Sequence, residues 1–394
     1  MSLINTRIDG NQLTVFLEGH IDSSNAQSVE NELTEARKAY PCDSIIIDAT
    51  NLKYISSAGL RIILRLKKEF TNLKITNVSS EVYEIFDVTG FTEMMDVSKA
   101  FRTIDVEGCE VIGQGANGKV YRIDPDTIVK VYLNPDSLPD IERERELART
   151  ALILGIPTAI PYDVVKVGDG YGSVFELLNA KSFAKLIAED PNRLDEVVKM
   201  SVDLLKKIHS TEVKPNIMPD MKEVAVKWVE FLVDYLPENT YQKLHRMVLD
   251  VPQDFHMMHG DYHIKNVMLQ DNEALLIDMD TLCTGNPVFE FASIYNAYQG
   301  YSEIDHKNIE DFLGITFEMG KEIWEKTLNL YFDNKSPEEI EEIAKKARII
   351  GYARIIRRSI RRKALESEDG KAYVEHFTNE ICKLIDEVDS LLFS

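Results

Sequence analysis

The chain lacks the features that would place it in or beyond a membrane. None of its apolar runs approaches the roughly 18 residues that a spanning helix needs. The opening MSLINTRIDGNQLTVFLEG has no basic segment followed by an apolar one, so no signal peptide is expected. Cysteine is scarce: Cys42, Cys109, Cys283 and Cys382 are dispersed and form no CxxC pair, which excludes a disulfide framework or a zinc site as the basis of the fold. Positive charge is also in deficit, with 45 Lys and Arg against 66 Asp and Glu, a net charge of −21. A surface of that sign repels phosphate backbones. A cytoplasmic protein with no nucleic-acid and no membrane partner is therefore expected. Most of the acidic excess lies beyond Thr103, a bias that serves solubility or favours cationic substrates for the C-terminal part.

A length of 394 residues exceeds what one core usually organises, so two domains are expected. In the first hundred residues QLTVFLE alternates as a half-buried strand, and Ser23 or Ser24 is placed to cap the helix NAQSVENELTEARKAY, which ends near Pro41. The apolar run Ile45 to Ile47 reads as a strand. Ser56 and Ser57 precede a helix bearing Leu60, Ile63, Leu64 and Phe70, and the strand LKITNVS and helix EVYEIFDVTG follow. Alternating β and α elements predict a sheet covered by helices.

The combination LEGHIDSSNA and SIIIDATNLKYISSAGL resembles the STAS domain of anti-sigma-factor antagonists, over residues 1 to 103. That resemblance implies a protein partner and a phosphorylatable serine at the helix start, the position held by Ser57. Ser56 stands where the family more often has Asp, and Ala58 follows the serine.

After a short joint at 105–108 the sequence reads CEVIGQGANGKVYRIDPDTIVKVYL from Cys109, with Gly113, Gly115 and Gly118 spaced as GxGxxG. A dinucleotide-binding loop or a Walker A loop should open a helix, whereas KVYRI alternates as a strand, and Val120 stands where Walker A needs a Mg-ligating hydroxyl. The remaining reading is a glycine-rich loop between two strands, folded over ATP phosphates. It requires a lysine on the next strand, supplied by Lys130 in TIVKVYL, and a glutamate on the helix after it. Glu142, Glu144 and Glu146 are candidates. Glu144 is favoured because Leu147, Ala151 and Leu154 share its face. The strands DVVKVGDG and YGSVFELL come next, and backbone groups from Glu176 to Leu178 are placed to hydrogen-bond an adenine ring.

The densest chemistry lies in HGDYHIKNVMLQDNEALLIDMD, from His259 to Asp280. A hairpin turned at QDNE would gather Asp261, Asn266 and Asp278 at one edge. An Asp that receives a hydroxyl proton, an amide oxygen and a second carboxylate are what phosphoryl transfer from Mg-ATP requires. His259 and His263 lack the HEXXH pattern and read as loop-shaping residues, and the lone His209 as a packing residue. The run Arg354, Arg357, Arg358, Arg361, Arg362, Lys363 has two readings, a surface that meets a phosphorylated or acidic partner and, favoured over it, a solvated helix face paired with acids. Helices are expected over RLDEVVKMSVDLLKKIHS, KEVAVKWVEFLVDYL, EIWEKTLNLYF, SPEEIEEIAKKARIIGYARIIRRSIRRK and Ala372 to Leu392.

HGDxxxxN followed by IDxD is similar to the aminoglycoside phosphotransferase and choline kinase branch of the protein-kinase-like fold, over residues 104 to 394. The resemblance implies an α+β two-lobed domain, with an N-lobe to about residue 178 and a helical C-lobe from about 179 to 394. It implies Asp261 as the catalytic residue, Asn266 and Asp278 as Mg ligands, Lys130 on the phosphates, and His259 and Asp280 as braces of the catalytic loop. The leading function is ATP- and Mg-dependent phosphorylation of a small-molecule hydroxyl. Two alternatives stand beside it: a protein serine kinase acting on a STAS serine such as Ser57 of its own chain, and a non-catalytic nucleotide-sensing scaffold.

Overall fold

The structure is a computed structural model that describes residues 3–40, 42–115 and 118–393. Pro41, where the first helix was expected to end, lies outside the described residues, as do Ala116 and Asn117 of the glycine-rich loop. The chain forms two compact units, Met1–Asp105 and Val106–Ser394.

In the first unit β1 (Ile4–Asp9), β2 (Gln12–Ile21), β3 (Ser44–Ile55), β4 (Lys74–Val78) and β5 (Asp96–Lys99) form one sheet in that order. The β1 and β2 pair is antiparallel and the others are parallel. Parallel neighbours need crossovers, and α1 (Ala26–Ala39), α2 (Ser57–Glu69) and α3 (Ser80–Val88) lie between them in sequence. Alternation in β2 buries Leu13, Val15 and Leu17 against Ile45, Ile47 and Ala49 of β3. The edge strand β1 escaped the sequence reading because INTRID buries only Ile4.

Neither expected serine caps α1. Ser24 instead turns back, its amide and hydroxyl donating to Asp22 at 2.8 and 2.5 Å, and Asn25 occupies the cap position. At α2 the Ser56 hydroxyl accepts from the Ala58 amide at 3.2 Å, and Ser57 is the first helical residue, exposed.

The second unit begins with β6 (Glu110–Gln114), β7 (Gly118–Asp124), β8 (Thr127–Tyr132), α4 (Leu138–Ile153), β9 (Pro161–Val167) and β10 (Gly170–Glu176). The strands pair antiparallel in the order β9, β10, β8, β7, β6. Gly118 opens β7 so close to β8 that a Cβ there would lie 2.3 Å from the Val131 carbonyl. Only a residue without a side chain fits that approach.

The rest is largely helical, with α5 (Leu194–His209), α6 (Met221–Glu230), α7 (Pro287–Tyr298), α8 (Phe317–Tyr331), α9 (Pro337–Arg361) and α10 (Glu368–Leu384). The hairpin β11 (Val267–Gln270) and β12 (Glu273–Leu276) interrupts the helices. Buried from Val288 to Tyr298, α7 is the axis of this core, with Phe291 against Trp324 and Tyr331 of α8. A capping box of Ser336 and Glu339 with Pro337 fixes the start of α9. The last helix differs from expectation: Ser367 caps it ahead of Glu368, and it gives way to a short 3-10 turn after Leu384. The segment expected as one helix over KEVAVKWVEFLVDYL stops at Glu230. No helix among the described residues is long and apolar enough to cross a membrane.

Candidate active site

Lys130 sits mid-strand in β8, opposite Val120 of β7 and Ser173 of β10. Alternation sends its neighbour Val129 into the core and leaves Lys130 on the other face. Its Nζ donates to Glu144 Oε1 and Oε2 at 2.9 and 3.2 Å and to Asp278 Oδ1 at 2.8 Å. Burial opposes the ammonium charge, but Glu144 and Asp278 outweigh it and hold the lysine well above its usual range. Glu144 lies on the buried face of α4 with Ile141, Leu147, Ala148 and Ala151, and it also accepts from the Tyr132 hydroxyl. Leu154, expected on that face, is 39% exposed because the helix has ended before it.

The segment 259–261 is held from three sides. Glu290 of α7, fully buried, accepts the amides of His259 at 2.5 Å and Gly260 at 3.0 Å. The Thr281 hydroxyl donates to the His259 carbonyl at 2.8 Å. The His259 ring bridges onward, with Nε2 3.2 Å from the Ile277 carbonyl and Nδ1 accepting the Asp261 amide at 3.2 Å. Gly260 has φ +81°, and a Cβ there would meet the Thr281 carbonyl at 2.6 Å. These constraints aim Asp261 without using its carboxylate.

The β11–β12 hairpin turns at Asp271 and Asn272, both with positive φ, the turn sense that suits the right-handed twist of a two-residue hairpin. Asn266, just before β11, donates through Nδ2 to the Asp261 carbonyl at 3.1 Å, which leaves its amide oxygen free to accept or ligate. Asp278, just after β12, has the left-handed φ of 64°. The hairpin thus brings Asp261, Asn266 and Asp278 to one end, and Lys130 reaches them from the other lobe.

The Asp261 carboxylate faces His263 Nε2 at 3.6 Å and an Arg354 guanidinium nitrogen at 3.9 Å. Burial pushes its pKa up, but His263 and Arg354 outweigh that effect and hold it well below the usual carboxylate range. Asp280 is the opposite case: burial, then the charges of Asp278 and Glu144, push it up to about 7. Its carboxylate makes no hydrogen bond among the described residues, so the contacts that brace the loop come from His259, Thr281 and Glu290 rather than from Asp280.

On the nucleotide side the Gly115 amide donates to the Gly118 carbonyl at 2.9 Å, closing the base of the glycine-rich loop, and Gly113 pairs with Val120. At the end of β10 the Glu176 amide is committed to Ile160 and the Leu177 amide to Asp126, at 3.0 and 2.8 Å. Of this segment only the Leu178 amide lacks a backbone partner among the described residues.

Two protein oxygens here could hold a divalent ion, the Asn266 amide oxygen and the Asp278 carboxylate. Among the described residues no group of three His, Cys, Asp or Glu is gathered to cage a metal. Two hard oxygens would fit Mg, for which water and phosphate oxygens are ordinary further ligands.

Beyond Asp261 a cavity of about 460 Å³ opens, lined by Asp261, Tyr301, Phe312, Arg354, Arg358 and Arg362 among others. Arg358, Arg361, Arg362 and Lys363 are exposed and Lys363 pairs with Glu366, as a solvated face would be, yet three arginines of the run also line this cavity and make the space beside Asp261 cationic despite the acidic composition. Glu290 and Arg354 were missed in the sequence, where Glu290 stands inside an apolar run. The four-residue spacing of Arg354, Arg358 and Arg362 was the signal available for the second. His209, buried as expected, has Nε2 3.6 Å from Glu290 and Nδ1 2.8 Å from the Tyr331 hydroxyl.

A family model described as "Phosphotransferase enzyme family" (APH) matches residues 108–320, and a STAS domain model matches residues 4–106. The N-terminal part is 32% identical over 104 residues to BtrV, a Bordetella bronchiseptica protein named as an anti-sigma factor antagonist, covering 25% of this chain and 88% of the relative. An anti-sigma F factor antagonist of Paenibacillus polymyxa is 25% identical over 89 residues, 22% of this chain and 76% of the relative. Among solved structures, the gentamicin complex of APH(2")-IIa is similar with a TM-score of 0.46 at 16% identity, covering 76% of this chain and 95% of its own. ADP-bound APH(2'')-Ib is similar with a TM-score of 0.47 at 15% identity, covering 79% and 99%.

Proposed function

The chain belongs to the phosphotransferase enzyme family and carries a STAS domain ahead of its phosphotransferase region, and on that premise we propose that it transfers the γ-phosphoryl group of ATP to a hydroxyl of a small molecule. The transferase domain spans residues 104–394 in this reading, with an N-lobe to about residue 178, and residues 1–103 serve as a regulatory or partner-binding module. The observation that carries the proposal is the joining of Lys130 to both Glu144 and Asp278, which ties the strand of one lobe to the hairpin of the other at the point where a triphosphate would lie.

In this reading Gly113, Gly115 and Gly118 let the loop backbone approach the phosphates, and Lys130, steadied by Glu144, contacts the α and β phosphates. Leu178 offers its amide to the adenine, while the Glu176 amide is already used. Asn266 and Asp278 hold Mg, which neutralises phosphate charge when bound. Asp261 accepts a hydrogen bond from the acceptor hydroxyl and orients its oxygen toward the γ-phosphorus. As that oxygen bonds to phosphorus, the bond to the β,γ-bridging oxygen breaks, ADP leaves, and the hydroxyl proton passes to Asp261 and on to water. The depressed pKa of Asp261 makes it a weak base, so its contribution is chiefly orientation, with proton transfer late. His259, Thr281 and Glu290 keep the loop in place.

The test is ADP release over a library of hydroxyl acceptors with Mg-ATP, using Asp261→Asn as the blank. Acceptor-dependent release that the variant lacks supports the proposal; release that is equal in the two proteins removes it.

A second reading, phosphorylation of a STAS serine, is favoured by the exposed position of Ser57 at the first turn of α2. Label from γ-labelled ATP on intact protein, absent in Ser57→Ala, would establish it; label found only on added small molecules would exclude it.

A further inference from the structure

Resting on that reading, we infer that the acceptor is a small anionic alcohol, with its hydroxyl at Asp261 and a phosphate or carboxylate group held by Arg358 and Arg362. The cavity beyond Asp261 is walled on one side by α9: Arg354 and Arg358 of the helix and Arg362, the residue that ends it, stand at four-residue spacing and line the cavity together. Among the described residues Asp261 is the only carboxylate in the lining.

The arginines are not equivalent. Arg354 is engaged with the catalytic loop: it donates to the Gly260 carbonyl at 3.2 Å and the Ser293 hydroxyl at 2.9 Å, and it lies over the Trp228 ring. Arg358 meets Tyr301, through the hydroxyl at 3.2 Å and the ring face at 5.0 Å, and interacts electrostatically with Tyr373. Neither Arg358 nor Arg362 forms an ion pair with a carboxylate among the described residues. Lysines nearby do find acids, as in Lys346 with Glu342, Lys371 with Glu368 and Lys383 with Glu380. In a chain with 66 acidic residues, two guanidinium groups left without carboxylates and facing one cavity are a built anion site.

Guanidinium forks match carboxylate and phosphate geometry and bind both through paired charge-assisted hydrogen bonds. A polycationic acceptor would instead bring its amines against the arginines. The rise of α9 places Arg358 about 6 Å and Arg362 about 12 Å beyond Arg354 along the helix, which sets the reach between reacting hydroxyl and anionic group. Tyr301, Phe312 and Tyr373 supply apolar faces for the skeleton, and about 460 Å³ suits a small molecule.

The test uses the full chain. Binding of inorganic phosphate and of malonate is measured by titration calorimetry at constant ionic strength, with and without saturating Mg-ADP. At least one anion is expected to bind under both conditions, and which of them binds distinguishes a phosphate from a carboxylate ligand. Arg358→Gln/Arg362→Gln is expected to weaken binding by about 10-fold or more, with Mg-ADP affinity unchanged. Arg361→Gln, which does not line the cavity, controls for net charge and is expected to bind like wild type. Absence of anion binding, or equal binding by the double variant, overturns the inference.

In turnover, acceptors matched in skeleton are compared: sugar phosphates with free sugars, hydroxy acids with their amides, and an aminoglycoside. The anionic member is expected to lead, with its KM raised about 10-fold or more in the double variant and kcat little changed. Turnover that favours neutral or cationic acceptors overturns this inference and leaves the phosphotransferase reading standing. Failure of wild type to bind Mg-ADP overturns that reading and this one together.

Discussion

Lys130 and Asp278, 148 positions apart in the chain, meet at 2.8 Å, and the same ammonium group holds Glu144 at 2.9 Å. One cation thus links strand β8 of the second unit's sheet, the helix α4 behind it and the end of the β11–β12 hairpin. Glu144 is 3% exposed, so its charge depends on that partner and on Tyr132.

Replacing Lys130 with Met strands the buried carboxylate. Stability is expected to fall by about 3 kcal/mol, read by urea denaturation, and ATP affinity is expected to fall with it. Lys130→Met/Glu144→Gln should recover much of the stability but none of the affinity. A double variant as unstable as the single one would show that Glu144 is not the group left uncompensated.

Glu290 carries the catalytic segment through two backbone amides, and these bonds need an acceptor on both oxygens. Glu290→Gln turns one oxygen into a donor facing an amide donor. A loss of about 2 kcal/mol in stability and a drop in turnover at unchanged ATP affinity are expected. The Glu290 pKa is lowered in the fold, where burial is outweighed by His209, His259 and the Gly260 amide. Its stabilising contribution is therefore present above about pH 4.3, the unfolded value, and is lost as pH falls below it. The variant should lack that acid limb in denaturation measured against pH.

Asp280, pushed up to about 7, binds more protons folded than unfolded between its ordinary value near 4 and that figure. In nucleotide- and metal-free protein this group makes stability decline as pH rises through that window, by up to a few kcal/mol. Asp280→Asn should remove the decline and leave the protein more stable than wild type at pH 8. Equal denaturation midpoints for the two proteins at pH 8 would contradict the argument.

Much of the site was legible because its chemistry is written at short range. HGDxxxxN and IDMD fix Asp261, Asn266 and Asp278 on one loop and hairpin, and β alternation alone puts Lys130 on the face opposite Val129. Glu144 was separable from Glu142 and Glu146 because a helix has one buried stripe. Residues that act across long separations were not legible: Glu290 reaches His259 over 31 positions, and Arg354 reaches Gly260 over 94. The cavity lined by Arg354, Arg358 and Arg362 was not legible because net charge describes a surface, whereas a cavity is set by which few residues face it. The cap of α1 was misread because Ser24 is drawn to Asp22, a side-chain to backbone competition that composition does not reveal.

The proposed reaction assigns metal binding to Asp278 and acceptor chemistry to Asp261 at one site. Titration of ATP in the presence and absence of Mg, paired with single-turnover ADP formation, tests it most directly on wild type, Asp278→Asn and Asp261→Asn. The account predicts Mg-dependent ATP binding in wild type and in Asp261→Asn, its loss in Asp278→Asn, and ADP formation in wild type alone. Mg-dependent binding that survives in Asp278→Asn, or undiminished ADP formation by Asp261→Asn, would contradict it.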